Sequence, residues 1–195
     1  MRFGTLGSEA SNHALVLDRY LEAREIQNAE VHLFLDFGAA FDALMSGDLD
    51  FVLQVSVHPQ HTECVARYIN RAFIIDTFIA SSKPLGILTR LEIIKPRTIA
   101  LQPATRSYAD LSAWTEQIEE ASTSTVADGL VAGHYDSGIA ALEVLKKYPN
   151  RFRVDYEIGP IQDAWIMFGR EPVCHGDILV WPNSPVEKLL AATDN

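Results

Sequence analysis

Apolar residues fall into two kinds of stretch along the chain, short unbroken runs and longer segments where they recur at three- and four-residue spacing, and the two kinds alternate. The first run, around Phe3, passes through Gly4 and Gly7 into the polar turn Gly7-Ser8-Glu9-Ala10-Ser11 and then into Ala14-Leu15-Val16-Leu17. This predicts a strand and then a helix over about residues 9 to 24. Val31-His32-Leu33-Phe34-Leu35 predicts a second strand, and Phe37, Ala40, Phe41 and Leu44 mark one buried face of a helix that Gly47 ends. Phe51 to Val57 is largely apolar, as in a strand buried on both faces of a parallel sheet.

His58-Pro59-Gln60-His61 interrupts that strand, and a helix is expected from about Thr62 to Asn70. Strands follow at 72–79, 84–89 and 98–101; the last runs into the polar turn Gln102 to Ser107 and an amphipathic helix carrying Leu111, Trp114 and Ile118. A third polar turn, Ala121 to Thr125, opens a helix with Val126, Leu130 and Val131 that Gly133 terminates. Ser137 to Leu142 predicts a strand running into a helix with Val144, Leu145 and Tyr148. Three closing strands are expected at 153–158, 164–168 and 177–181, with Pro185 at the first position of a C-terminal helix.

Alternating strands and helices predict an α/β fold with mainly parallel sheets. The long mid-chain strands, with similar polar turns on both sides of them, predict two lobes and an interlobe cleft that holds the ligand. Residues 1–76 and 160–195 form the first lobe in this reading, and 77–159 the second.

The opening turn is the first candidate for chemistry. Ser8 is placed to cap the first helix, with Glu9 in its first turn and the Ser11 hydroxyl beside amides that have no partner inside the helix. Such an end attracts anions, and the carboxyl edge of an open α/β sheet is where ligands bind. An ordinary capped helix is the alternative for this stretch alone.

The 195 residues, 48% hydrophobic and 22% charged, are globular in composition. Sixteen Lys and Arg against 26 Asp and Glu give a net charge of −10, which argues against a nucleic-acid or anionic membrane partner. A small anion would need a locally positive pocket. Cys64 and Cys174 are too few for a disulfide scaffold, and no apolar run approaches the roughly 18 residues of a membrane span. A cytoplasmic protein with free thiols is expected.

Three segments resemble the prephenate dehydratases, whose catalytic region has the two-lobed architecture of type II periplasmic binding proteins. Leu6-Gly7-Ser8-Glu9-Ala10-Ser11 resembles the family's Gly-Pro-Glu-Gly-Thr segment after the first strand. Phe41-Asp42-Ala43-Leu44 with Gly47-Asp48-Leu49-Asp50-Phe51-Val52-Leu53 is similar to the helix and strand before its Pro-Ile-Glu-Asn-Ser motif. Ala121-Ser122-Thr123-Ser124-Thr125-Val126-Ala127 is similar to its serine/threonine-rich turn. The family's Glu-Asn-Ser falls here near Ser56-Val57-His58, and its catalytic Thr-Arg-Phe near Ala164-Trp165-Ile166. Ala164 offers no hydroxyl to help a substrate hydroxyl leave, and Trp165 no guanidinium for a carboxylate.

A smaller branch, the prephenate decarboxylases of bacilysin-type antibiotic pathways, lacks Thr-Arg-Phe, has a tryptophan in that region and carries no regulatory domain. This chain resembles it in these respects. The resemblance implies loss of the ring carboxylate from prephenate, with the ring protonated and its hydroxyl retained, and no cofactor.

A dicarboxylate needs donors at both ends. The expected binding set is Ser8, Glu9, Ala10 and Ser11 from one lobe, Ser122, Thr123 and Ser124 from the other, Ser56 at the family's polar stretch, and Thr105 with Arg106 in the turn after the 98–101 strand. Arg106 is the cation best suited to a bidentate carboxylate contact. His58, with an unperturbed pKa of about 6.5, is the expected proton donor, and Trp165 an apolar wall against the ring. His58, His61, Cys64, Cys174 and His175 invite a zinc reading, but Pro59 prevents a regular helical ligand face and no acidic residue completes a pattern, so no metal is expected. A homodimer stays open. The expected function is a lyase acting on prephenate or a close relative by non-aromatising decarboxylation. The alternatives are a dehydratase-like enzyme with an altered motif and a non-catalytic small-carboxylate-binding protein.

Overall fold

The computed structural model describes residues 1–182 and 184–186. The first sheet is built from β1 (Arg2–Leu6), β2 (Glu30–Phe34), β3 (Phe51–Val55), β4 (Phe73–Ser81) and β10 (Gln162–Gly169) in the order β2-β1-β3-β10-β4. The second contains β5 (Leu85–Arg90), β6 (Thr98–Leu101), β7 (Glu116–Glu119), β8 (Ser137–Ala141) and β9 (Phe152–Gly159) in the order β7-β6-β8-β5-β9. Helices α1 (Asn12–Ala23), α2 (Phe37–Ser46) and α3 (His61–Arg67) belong to the first lobe, α4 (Thr123–Ala132) and α5 (Glu143–Lys147) to the second. The α/β two-lobed architecture is therefore as expected.

Both sheets are mixed. Parallel ladders join β2-β1-β3 and β7-β6-β8; helices α1, α2 and α4 carry the chain between successive strands, and a 3-10 turn and loop connect β6 to β7. The strands that enter and leave each lobe, β4 and β10 in one and β5 and β9 in the other, pair antiparallel. The chain crosses between lobes after β4 ends at Ser81, a few residues beyond the boundary expected at 76–77, and returns at Pro160 and Ile161. The crossings are tied side by side: Ser82 N donates to Ile161 O at 2.8 Å, and Ile161 N to Ser82 Oγ at 3.1 Å.

Each sheet is covered on both faces, which explains its apolar runs. In the first lobe Phe37, Phe41 and Leu44 of α2 pack with Val52 and Phe168 on one face, while Val16, Leu17 and Leu21 of α1 pack with Phe3, Leu53, Val55 and Trp165 on the other. Burying each such side chain stabilises the fold by about 1.5–3 kcal/mol. In the second lobe Val126 and Leu130 of α4 cover Leu88, Ala100 and Ala140. Gly138 allows this close approach, since a Cβ there would stand 2.6 Å from Val126 Cγ1.

Three local expectations are corrected. The helix over Leu111, Trp114 and Ile118 is absent: Pro103–Thr105 forms a single 3-10 turn, Leu111 and Trp114 lie in a loop, and Ile118 belongs to β7. The apolar spacing there has a different cause, because Leu111 and Trp114 cover Ile87, Ile99 and Ile139 on the face of the second sheet opposite α4. Helix α1 starts at Asn12 with Ser11 as its cap, and Ser8, Glu9 and Ala10 form the preceding turn, in which Ser11 N donates to Ser8 O at 2.9 Å. Residues 177–181 form no strand; Trp181 is anchored there by Nε1–H donating to Thr77 O at 2.9 Å. The helix expected from Pro185 lies, beyond Val186, outside the described residues. Among the described residues no helix is long and apolar enough to cross a membrane.

Candidate functional site

The carboxyl ends of β1 and β3 face those of β6 and β7 across a cavity of about 200 Å³, with the lobe crossings at its floor. Leu6, Val55 and Leu85 make it partly apolar, and the polar groups come from both lobes. Its position at the strand ends follows from the parallel crossovers, which turn both sets of βα junctions toward the same space.

On the first-lobe side Ser11 lines the cavity, but its hydroxyl is committed to the fold: Oγ accepts from Ala14 N at 3.1 Å and donates to Leu6 O at 3.0 Å. The next residues are Asn12 and His13. Asn12 Oδ1 accepts from Lys83 N at 2.9 Å and so ties α1 to the crossing segment. His13 Nε2 is buried with no hydrogen-bond partner among the described residues. Its ring packs at 5.1 Å from Trp165, 5.3 Å from Phe37 and 5.9 Å from His58, centroid to centroid.

His58 lines the cavity beside it, 4.9 Å from Phe37. Its Nδ1 accepts from Gln60 N at 3.2 Å, which assigns the proton to Nε2. Burial lowers both histidines, with like-charge proximity as the second cause: His13 to about 3, beside His58, and His58 to about 4, beside His61. Both rings are neutral near pH 7. A neutral imidazole keeps its one N–H as a very weak acid, so this environment does not favour the expected role of His58 as proton donor. Trp165 is fully buried and its Nε1–H is used by Ala80 O at 3.2 Å, so it presents only carbon to the cavity.

The second lobe contributes the N-terminus of α4. Ser122 and Thr125 form a reciprocal capping box, with Ser122 Oγ accepting from Thr125 N at 3.1 Å and Thr125 Oγ1 accepting from Ser122 N at 2.9 Å. The amides of Thr123 and Ser124 accordingly remain without protein acceptors among the described residues, at the positive end of a ten-residue helix. Thr105 is buried at the cavity edge, its hydroxyl donating to Gln102 O at 2.8 Å.

Of the expected site residues, Ser11, His58, Thr105, Ser122, Thr123, Ser124 and Trp165 line one cavity. The others lie elsewhere. Ser8, Glu9 and Ala10 are exposed in the turn before α1, and Ala10 O accepts from Lys83 Nζ at 2.7 Å. Ser56 is held by its amide to Ala164 O at 3.0 Å and does not reach the cavity. Arg106 is exposed and bonded to Gln117 and, at 2.5 Å, to Glu119, because the turn after β6 directs it along the acidic edge strand β7. Among the described residues no lysine or arginine side chain lines the cavity.

Asn12, His13, Tyr108 and Asp163 were missed. Asp163 carried a readable signal, standing two residues before Trp165 in a strand where alternate residues share a face. No group of three or more His, Cys, Asp or Glu is placed to hold a metal among the described residues. His61 Nδ1 is instead bonded to Gln54 Oε1 at 2.8 Å, and Cys64 is buried beside Phe41 and Tyr68.

No protein-family model and no curated protein sequence matches the chain. Among solved structures it is similar to a prephenate dehydratase from Arthrobacter aurescens in complex with L-Phe, at 15% identity and a TM-score of 0.64 over 93% of this chain and 63% of that one. It is similar to the periplasmic VFT2 domain of BvgS from Bordetella pertussis, at 13% identity and a TM-score of 0.54 over 87% of this chain and 80% of that one. It is also similar to a pheromone cOB1 precursor/lipoprotein of the YaeC family from Enterococcus faecalis, at 13% identity and a TM-score of 0.54 over 88% and 85%. The chain spans less than two thirds of the dehydratase's length. At these identities the likeness shows the fold: a two-lobed α/β architecture shared by a prephenate dehydratase and periplasmic-binding-protein-like domains.

Proposed function

We propose that the cleft binds prephenate or a close cyclic relative and releases its ring carboxylate as carbon dioxide, leaving the ring non-aromatic. The observation that carries this reading is the pairing of one anion-receptive end, the free amides of Thr123 and Ser124, with a neutral aromatic wall of His13, His58 and Trp165 that, among the described residues, holds no lysine or arginine. The side-chain carboxylate of the substrate is bound at the α4 N-terminus, where amides and helix dipole favour negative charge. Its ring lies against Trp165 and His13, and a hydroxyl on it gives the orphaned His13 Nε2 a partner.

The ring carboxylate then faces carbon and neutral imidazole. A localised charge is disfavoured there more than a transition state that disperses it into the ring and the departing carbon dioxide. A guanidinium at this end would hold the carboxylate in its ground state, so a wall without one among the described residues suits decarboxylation. The dehydratase alternative needs a hydroxyl and a guanidinium at the positions that Ala164 and Trp165 occupy. The fold likeness to a prephenate dehydratase supports a prephenate-related ligand at the level of architecture alone.

A non-catalytic binding protein is the second reading, favoured by the likeness to a periplasmic domain and a lipoprotein. Incubation of the pure protein with prephenate, followed by proton NMR, separates the two. Accelerated carbon dioxide loss with a non-aromatic dihydro-hydroxyphenylpyruvate is the expected result. Binding without acceleration supports the second reading, and phenylpyruvate as product would restore dehydration.

A further inference from the structure

The geometry points to Asp163 as the group that delivers a proton to the ring after carbon dioxide leaves. This inference rests on the decarboxylation reading above. Asp163 and Trp165 stand two apart on β10 and so share one strand face, the one turned to the cavity, while Gln162 and Ala164 between and before them are exposed. Trp165 forms the wall on which the ring rests, and Asp163 is therefore at its edge.

Among the described residues Asp163 has neither an ion pair nor a hydrogen bond through its carboxyl. The titratable groups around the cleft are Tyr108 from the second lobe, His13 from α1 and His58 after β3. The nearby cations are turned away: Lys83 to Glu143 and Ala10 O, each at 2.7 Å, and Arg19 to Ser81 O at 3.3 Å. Burial with no compensating cation raises the Asp163 carboxyl above the ordinary aspartate range. The Tyr108 phenol, which lines the same cavity, is raised too, by burial and then by the charge of Asp163. The histidines are neutral and the phenol is too weak an acid, so Asp163 is left as the cleft's proton donor.

The step balances without a cofactor. The bond from ring carbon to carboxylate breaks, carbon dioxide departs, and its electron pair moves through the adjacent ring double bond to that bond's far carbon. This carbon takes the proton of the Asp163 carboxyl, and the resulting carboxylate takes one back from water.

Turnover of prephenate by the wild-type protein, Asp163→Asn and Asp163→Glu across pH tests this. Asp163→Asn is expected to lose at least about a hundredfold in kcat, with KM unchanged or lower, and Asp163→Glu to recover part of the loss. The wild-type rate should fall as pH rises and deprotonates Asp163, a limb that Asp163→Asn lacks. A wild-type protein that turns over while Asp163→Asn keeps kcat within threefold, or keeps the limb, overturns the role of Asp163 alone. A wild-type protein without turnover overturns the decarboxylation reading and this inference together. Should Asp163→Asn fail to fold, carbon-13 titration of the Asp163 carboxyl in the wild-type protein decides, a midpoint at or below the ordinary aspartate value overturning the role.

Discussion

His13 and Trp165 lie 152 positions apart in the chain and meet edge to face in the cleft, ring centroids 5.1 Å apart and planes at 74°. The contact joins the start of α1 to the interior strand β10, and it leaves His13 Nε2 buried and, among the described residues, unpaired beside the space where a ligand fits. An unpaired buried polar group costs about 1–3 kcal/mol, and a ligand hydroxyl removes that cost.

His13→Phe keeps the ring and removes the unpaired nitrogen. The unliganded variant is expected to melt at or above the wild-type temperature, while its affinity for prephenate in calorimetry falls about tenfold, the worth of one buried hydrogen bond. Lower stability with unchanged affinity would mean that Nε2 serves the fold and not the ligand.

The two histidines also make stability depend on pH. Both have folded pKa values below the ordinary 6.5, about 3 for His13 and about 4 for His58. Above 6.5 their contribution is complete. As pH falls below it, the unfolded chain binds protons that the folded one refuses, so stability declines progressively toward pH 4 and 3. Urea midpoints measured at pH 7 and pH 4.5 should differ less in the double variant His13→Phe/His58→Phe than in the wild type.

Arg106→Ala tests the electrostatics of the cleft. Its guanidinium is exposed and engaged by Glu119 and Gln117 outside the cavity, so ligand affinity should stay within twofold and stability change by less than about 1 kcal/mol. A tenfold weakening in calorimetry would place Arg106 in the site.

Ser11 and Ser122 cap α1 and α4, and replacing either by alanine should cost about 1 kcal/mol in urea denaturation. Their effects on binding should differ. Ser122→Ala loosens the end that holds the carboxylate and lowers affinity, whereas Ser11→Ala acts mainly through stability. Ser8→Ala should leave both unchanged, because Ser8 is exposed and caps nothing.

The alternation of apolar runs and helical faces determined the α/β class, the two lobes and most of the strands, since burial on both faces of a sheet imposes continuous apolar runs that are visible without coordinates. The polar turns at Ser11 and at Ser122 were legible for a related reason: a helix start needs a capping oxygen, and few residue types supply one. The loop around Leu111 and Trp114 was misread because side chains that cover a sheet face from a loop can have the spacing of a helix. Only the tertiary structure decided which polar residues share a space. Arg106 and Ser8 have suitable chemistry, but their backbones direct them elsewhere, whereas His13, Tyr108 and Asp163 converge from α1, a second-lobe loop and β10. Protonation was likewise decided by packing, because a histidine's pKa follows from how much water its neighbours exclude, and those neighbours are distant in the chain.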